Sequence, residues 1–446
     1  MNKLSNLLIL LVSTVLLSSC INVPKKPDLD LLYRNNYLND NSTPVILIPG
    51  LMGTSLESAD GIEVWPKSVG SLAFSSYANL SDYSNDDYRP GRLIDSLVGV
   101  DFYGTLINTL EKSGGYEKAV LGSPISSKTK RRYYVFLYDW RKSNFDAVNN
   151  LHLLIEQIRK DYKNPDLKVD IIAHSNGGLI ARYYLQYGPQ NQESRKLPQP
   201  SALGGQSIRR LVMLGTPNLG SIISVKRIYQ GFEFGFRTIP AHVMAHFATP
   251  FETFPIPGTT LFIDSNGTAL DFNIYDLNVW QKNQWSVFSK ESMQNIRSES
   301  LNSELEIERT QNIFKKHLEQ AYYFQNALSK PLGEVPTEIA IFGGDCNLTE
   351  ARAVVNNHRN TQALAFEEGD ILDKKKNVNY QNLLLMLGDG LVTRESQLAR
   401  ASNAYNNQSQ AANLFSIAQT IFFCEKHGFL TANPYFQNNL LYFILH

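Results

Sequence analysis

The sequence predicts an α/β protein: a mostly parallel β-sheet with helices on both faces and one long inserted region. Three observations carry this. Short apolar, β-branched runs recur at 44–48, 132–137, 168–173, 209–214, 338–342 and 414–423, as suits strands buried on both faces. Between them, Leu151, Leu154, Ile155, Ile158 and Tyr162 fall on one face of a helix, and 178–187 has the same character. Strand–helix alternation of this kind favours a parallel sheet. The rhythm then breaks from 221 to about 330, where Trp280, Trp285 and many Phe occur without strand alternation. The expected organisation is therefore a core in two parts, 44–221 and 331–446, separated by a 222–330 cap or lid.

Composition narrows the function. Apolar residues make up 43% of the 446 and charged residues 19%, enough for a large core and too apolar for disorder. Lys plus Arg number 42 and so do Asp plus Glu, giving no net charge. Neutralising a phosphate backbone needs a basic surplus, so no nucleic-acid partner is expected. No CxxC, HExxH or EF-hand pattern occurs, so no metal or other cofactor is expected.

The N-terminus reads as an address. Lys3 precedes an apolar run, Leu7 to Leu17, of 11 residues, too short to span a bilayer of roughly 30 Å as a helix. Leu17-Ser18-Ser19-Cys20 resembles the lipobox of bacterial lipoproteins, in which the cysteine is lipidated and becomes the new terminus. An ordinary secretory peptide with a chance cysteine is the alternative. The expected arrangement is a signal peptide over 1–19, a lipid on Cys20, and a polar tether over 20–43. Ile21 in place of Asp after the cysteine implies, by the same resemblance, outer-membrane anchoring in a bacterial cell envelope.

The chemistry centres on KVDIIAHSNGGLIAR (168–182). A buried strand enters Ala173-His174-Ser175-Asn176-Gly177 and a helix follows, the pattern of a nucleophile elbow. Small residues two before and two after the serine are needed because the turn is too tight for larger ones. His174 should not be the base, since neighbours in such a turn point apart; it reads as a packed structural histidine.

An attacking serine needs a base, an acid to orient it and donors for the oxyanion. The expected chain order is Ser, Asp or Glu, then His. His242 and His246 fall in the insertion, His317 in a charged helical stretch, His358 in an Arg/Asn-rich loop, and His446 at the chain end. His427 follows the last strand and is the expected base. Asp389, flanked by Gly388 and Gly390, is the expected acid; Asp370 and Asp373 are rivals on a solvated, charged stretch. The oxyanion donors expected are the amide of Asn176 and, from the glycine-bearing loop after the first strand, that of Leu51, with Met52 as the fallback.

PVILIPGLMGTSLE (44–57), FLYDWRKS (136–143), AHSNGGLIARYYL (173–185), LGTPNLGS (214–221) and GDGLV (388–392) together resemble the lecithin:cholesterol acyltransferase family of α/β-hydrolases. The resemblance spans roughly 44–434 and thins inside the insertion. It implies an α/β-hydrolase fold with a cap and lid, and an acyl-serine on Ser175 served by Asp389 and His427. It implies that Leu51 and Asn176 hold the oxyanion, and that Tyr138-Asp139-Trp140-Arg141 supports the cap. It further implies an O-acyltransferase or acyl-ester hydrolase whose partners are a lipid acyl-ester donor and a water or alcohol acceptor; the lipobox resemblance adds a membrane surface reached through the lipidated N-terminus. A simple lipase or carboxylesterase is the alternative; an idle lipid-anchored binding protein would not need all three triad residues.

Cys346 and Cys424 remain in the mature chain. Each follows a predicted strand at the sheet's carboxyl edge, where neighbouring loops come within disulfide reach. A disulfide and two packed thiols both fit.

Overall fold

The apolar runs become neighbouring strands. The computed structural model describes residues 26–35, 42–66, 77, 80, 88–97, 99–125, 130–190, 197–234, 237–358, 360–401 and 412–446. Seven strands form its central sheet: β1 (Val45–Ile48), β2 (Tyr116–Lys118), β3 (Arg131–Val135), β4 (Val169–His174), β5 (Ile208–Leu214), β6 (Glu338–Gly344) and β7 (Gln419–Phe423). Their spatial order is β7-β6-β5-β4-β1-β3-β2, with every pairing parallel. The expected leader, 1–19, and Cys20 lie outside the described residues, as do 21–25 and 36–41 of the expected tether.

Every residue of β1 and β4 is buried. Because successive side chains alternate faces, Ile46 and Ile48 pack with Leu151 and Ile155 of α1 (Asn144–Asp161) and Leu179 of α2 (Asn176–Tyr187). Val45 and Leu47 enter the opposite layer with Leu106, Leu110 and the apolar side of the last helix, Pro434–Leu445. Both faces are thus covered, which is why the strands read as unbroken apolar runs. This is the α/β-hydrolase arrangement.

Two strands differ from expectation. The 414–423 run is extended into the sheet only from Gln419; Leu414 and Phe415 are buried in the core instead. Strand β2 has two exposed residues among its three, Glu117 and Lys118. A short edge strand needs no apolar run, so it left no signal.

The insertion is mainly helical, including α3 (Ile222–Gln230) and α4 (Ser303–Leu328). Its Phe251, Phe254, Trp280 and Phe314 belong to the same apolar cluster as Ile171 of β4, so it shares the core instead of building its own. Residues beyond 330 also complete it: Phe262–Ile263 pairs with Ala353–His358, which pairs with Thr361–Ala365. Within the 20–43 stretch, Asp28 caps a short helix, Leu29–Leu32, and the buried Tyr33 donates its hydroxyl proton to the Asn438 carbonyl at 2.7 Å. Since the sheet is parallel, the loops after β1, β4, β6 and β7 all leave from one edge, where α/β proteins place their sites.

Candidate active site

β4 delivers the serine. Ser175 has φ 54° and ψ −124°, a backbone region that costs a non-glycine residue free energy. Two hydrogen bonds hold it there: its N–H donates to the Leu214 carbonyl at 2.8 Å, and the Gly178 N–H donates to its carbonyl at 3.0 Å. Gly177 is obligatory, because a Cβ there would lie 2.7 Å from the Ile48 carbonyl oxygen.

The loop after β7 brings the base and the loop before Leu391 brings the acid. Ser175 Oγ lies 2.9 Å from His427 Nε2, and His427 Nδ1 lies 2.7 Å from Asp389 Oδ2. The other carboxylate oxygen accepts from the N–H groups of Leu391 at 3.0 Å and Val392 at 2.7 Å. Oδ2 is therefore left for the imidazole. With Nδ1–H committed to the carboxylate, Nε2 is the acceptor that can take the serine proton. The His427 N–H also donates to the Asp389 carbonyl at 2.9 Å, so acid and base are joined twice.

Cys346 and Cys424 form a disulfide with Cα atoms 5.1 Å apart. It links the loop after β6 to the one leading to His427, and Asn347 Nδ2 reinforces this by donating to the Glu425 carbonyl at 3.1 Å. The base is presented on a doubly tethered loop.

The oxyanion side is equally constrained. Leu51 and Met52 line the pocket beside Ser175, and Asn176 opens α2 directly after it. Among the described residues no acceptor is bonded to the amides of Leu51 or Asn176, which leaves both for a ligand. Gly50 lets the loop approach: a Cβ on it would sit 2.9 Å from Ser175 Cβ. Its own amide is committed to Tyr103 Oη at 2.8 Å.

A buried network joins these two donors. Tyr138 donates to the Pro49 carbonyl at 3.1 Å and accepts from Asn176 Nδ2 at 3.2 Å. The side chains of Asn176 and Asn144 exchange hydrogen bonds at 2.8 and 3.0 Å. Glu252, from the insertion, accepts from the Asn144 N–H at 2.6 Å and the Ser143 hydroxyl at 2.5 Å. Burial outweighs those donors and pushes its carboxyl up to about 7. Beside Tyr138, Trp140 donates to the Thr54 carbonyl at 3.0 Å, and Arg141 is ion-paired with Asp139. The Ala248 N–H, from the insertion, donates to the Arg141 carbonyl at 2.7 Å. The 138–141 segment thus ties sheet, oxyanion loop and insertion together.

His174 is buried, and more than packing. The His427 carbonyl can only accept, so His174 Nε2 carries the proton that faces it at 3.3 Å; Nδ1 then accepts the Tyr103 hydroxyl proton at 2.8 Å, while Tyr103 Oη accepts from the Gly50 N–H. Burial, then the neighbouring His427, push His174 down to about 3. It stays neutral, which matters because a second cation 5.0 Å from the His427 ring would oppose any positive charge placed on His427.

The remaining candidates lie elsewhere. His242 faces Glu299, His246 faces Thr310, and His317 faces the Ala245 carbonyl. Asp373 is ion-paired with Lys375, and the Asp370 carbonyl accepts from Asn356. Sequence reasoning missed Tyr103 and Asn144, which act across 71 and 32 residues of chain; no local pattern marks either. The triad opens into a cavity of about 210 Å³ walled by Leu51, Trp65, Ile94, Leu97 and Phe102, with Arg227 and Phe232 from the insertion.

The lecithin:cholesterol acyltransferase family profile matches residues 129–417, more than half of the chain. The chain belongs to that family. The match includes Ser175 and Asp389; the 44–57 segment and His427 lie outside it and are placed by the structure alone. Membership of the lecithin:cholesterol acyltransferase family makes the chain a lipid-ester hydrolase or acyltransferase. Among solved structures, a chain of the Tle4–Tli4 complex has a TM-score of 0.57 at 15% identity, over 90% of this chain and 98% of that one. That likeness is one of fold. EstA from Clostridium botulinum (TM-score 0.38, 13% identity, 94% of this chain, 90% of that one) and Staphylococcus hyicus lipase (0.37, 12%, 94% and 96%) are looser matches. No curated protein sequence matches the chain.

Proposed function

We propose that this protein transfers fatty acyl groups from a phospholipid or similar lipid ester through an acyl-serine on Ser175. The observation that carries the reading is the continuous Ser175–His427–Asp389 contact, at 2.9 and 2.7 Å. His427 Nε2 takes the hydroxyl proton as Ser175 Oγ bonds to the ester carbonyl carbon. The oxygen becomes an oxyanion received by the Leu51 and Asn176 amides. Its collapse breaks the ester C–O bond, and His427 returns the proton to the departing alcohol. Water or an alcohol then attacks the acyl-serine by the same route in reverse, freeing a fatty acid or a new ester. Asp389 holds the imidazole and balances its charge throughout.

A water-poor pocket favours alcohol over water as acceptor, and the apolar wall favours a fatty chain at about 0.8 kcal/mol per buried methylene. Lipidation at Cys20 would keep the enzyme at the envelope membrane where such donors lie. The test is to incubate purified protein with phospholipid plus a sterol or long-chain alcohol. New esters support acyl transfer, free fatty acid alone supports hydrolysis, and neither product overturns the reading. Cys20→Ser should move the protein from membrane to soluble fractions or leave its leader uncleaved; unchanged membrane partition would refute the anchor.

A further inference from the structure

The two sides of the site are joined by a line of hydrogen bonds that runs through the residue before the nucleophile. It starts at the Gly50 N–H, one residue before the Leu51 amide, and passes to Tyr103 Oη at 2.8 Å. It continues to His174 Nδ1 at 2.8 Å, crosses the imidazole, and ends at the His427 carbonyl, 3.3 Å from Nε2. Both side chains on the line are buried. The segment bearing Tyr103 is fixed separately: the N–H groups of Phe102 and Tyr103 donate to the Asp95 carbonyl at 2.8 and 2.9 Å. Thr431, in the helical turn that begins at His427, donates its hydroxyl to the Phe102 carbonyl. Tyr103 is thus anchored beside the base loop, and its hydroxyl is what reaches the oxyanion loop.

The ends of the line fix every proton on it. A backbone N–H can only donate and a carbonyl can only accept. With Gly50 at one end and His427 at the other, one neutral arrangement satisfies both: Tyr103 O–H on Nδ1, and Nε2–H on the carbonyl. The other neutral tautomer would set the Nε2 lone pair against the His427 oxygen, two buried acceptors face to face. No charged group is needed to impose this order, and burial keeps the His174 ring neutral. An apolar pair would fill the same space without burying polar groups. What the polar pair adds is a fixed separation between its two ends.

We infer that Tyr103 and His174 are positioning residues that together set the separation between the oxyanion loop and His427, with Ser175 held between them. The inference rests on the acyl-ester chemistry proposed above and adds what keeps its parts in register. Stabilisation by preset donors depends on such register, and a displacement of about 1 Å is worth about 100-fold in rate. Tyr103 and His174 also line the cavity, so positioning has to be separated from contact with substrate.

The test measures kcat and KM for p-nitrophenyl butyrate in wild type, Tyr103→Phe, His174→Leu, the double variant and His174→Gln. Tyr103→Phe deletes one oxygen and should lower kcat about 10- to 100-fold with KM within about 2-fold of wild type. His174→Leu should do the same, and the double variant should lose no more than the worse single variant, because either change cuts the same line. His174→Gln offers an amide oxygen to Tyr103 and an amide N–H to the His427 carbonyl, and should recover most of kcat. Additive losses, losses confined to KM, or a Gln variant no better than Leu would overturn the inference. A measurement on the unmutated protein guards against variants that fold poorly. In its ¹⁵N-imidazole spectrum, the His174 signal, identified by its loss in His174→Gln, should show Nε2–H alone between about pH 5 and 9. An Nδ1–H or mixed tautomer, or protonation of His174 in that range, would equally overturn it. A wild type that cleaves no ester would instead overturn the acyl-ester reading, while the imidazole spectrum still decides the proton arrangement.

Discussion

At the carboxyl edge of the sheet, Asp389, His427, His174, Tyr138 and Asn176 each have a fixed hydrogen-bond partner. Across the same cavity, the insertion presents Arg227, which stacks on the ring of Phe232 and, among the described residues, makes no ion pair or side-chain hydrogen bond. The two walls differ in what they leave undone. The edge is complete before substrate arrives, as electrostatic stabilisation of a transition state requires. The insertion wall is apolar apart from Arg227, and its Phe232 and Arg227 line the cavity beside Ser175. Under the proposed acyl transfer the chemistry resides in the sheet loops, while the insertion supplies the facing wall, a division that mutation of either wall can break.

The largest effect should come from Ser175→Ala. Loss of one hydroxyl from the elbow should cut ester turnover by about 10⁴- to 10⁶-fold while the circular dichroism spectrum and thermal midpoint stay near wild type. Turnover close to wild type would mean that the elbow is not the nucleophile. Asp389→Asn should cost about 10⁴-fold in kcat, because the amide no longer fixes the imidazole tautomer. Asp373→Asn, on the exposed ion pair with Lys375, should leave kcat within a factor of two (roughly) of wild type; a reversal of this pair would move the acid elsewhere.

The join between the walls is testable through pH. Glu252 has its carboxyl raised from 4.5 to about 7 in the folded protein. Between those values the unfolded chain has released its proton while the folded chain retains it. Stability from this group is therefore full below about pH 4.5 and falls as pH rises through 7, by up to about 3 kcal/mol. Denaturant midpoints at pH 5 and pH 8 should differ in that direction, and Glu252→Gln should shrink the difference. A midpoint gap as wide in the variant as in wild type would assign the pH dependence to other groups. Tyr138→Phe is the mildest break. It removes the bridge between Pro49 and Asn176, so kcat should fall about 10-fold with little change in KM, through small displacement of the oxyanion amides. A loss confined to KM would place Tyr138 in substrate binding instead.

The Ser175–His427–Asp389 contact was legible in the sequence because its members sit on local patterns. Ser175 lies between an apolar run and a helical stretch, Asp389 between two glycines, and His427 just after the last strand. The parallel sheet was legible for the same reason, since strands buried on both faces have no polar alternation to disguise them. The supporting shell was not. Tyr103 reaches His174 from 71 residues away, and Asn144 reaches Asn176 from 32 away; only the folded chain brings such pairs together. Arg227 was hidden differently: next to Lys226 it reads as one of two surface cations on a helix, and only the fold sends one to Glu350 and the other to the pocket. The polar edge strand β2 and the late start of β7 went unread because neither boundary changes the hydrophobic pattern.

The central claim is that Ser175 is an activated nucleophile whose reactivity depends on His427. Labelling the native protein with a fluorophosphonate probe, digesting it and locating the adduct by mass spectrometry tests this directly. The account predicts one adduct on the peptide bearing Ser175, absent from Ser175→Ala and slowed at least about 10³-fold in His427→Ala. An unlabelled wild type, an adduct on another serine, or labelling at the wild-type rate without His427 would contradict it.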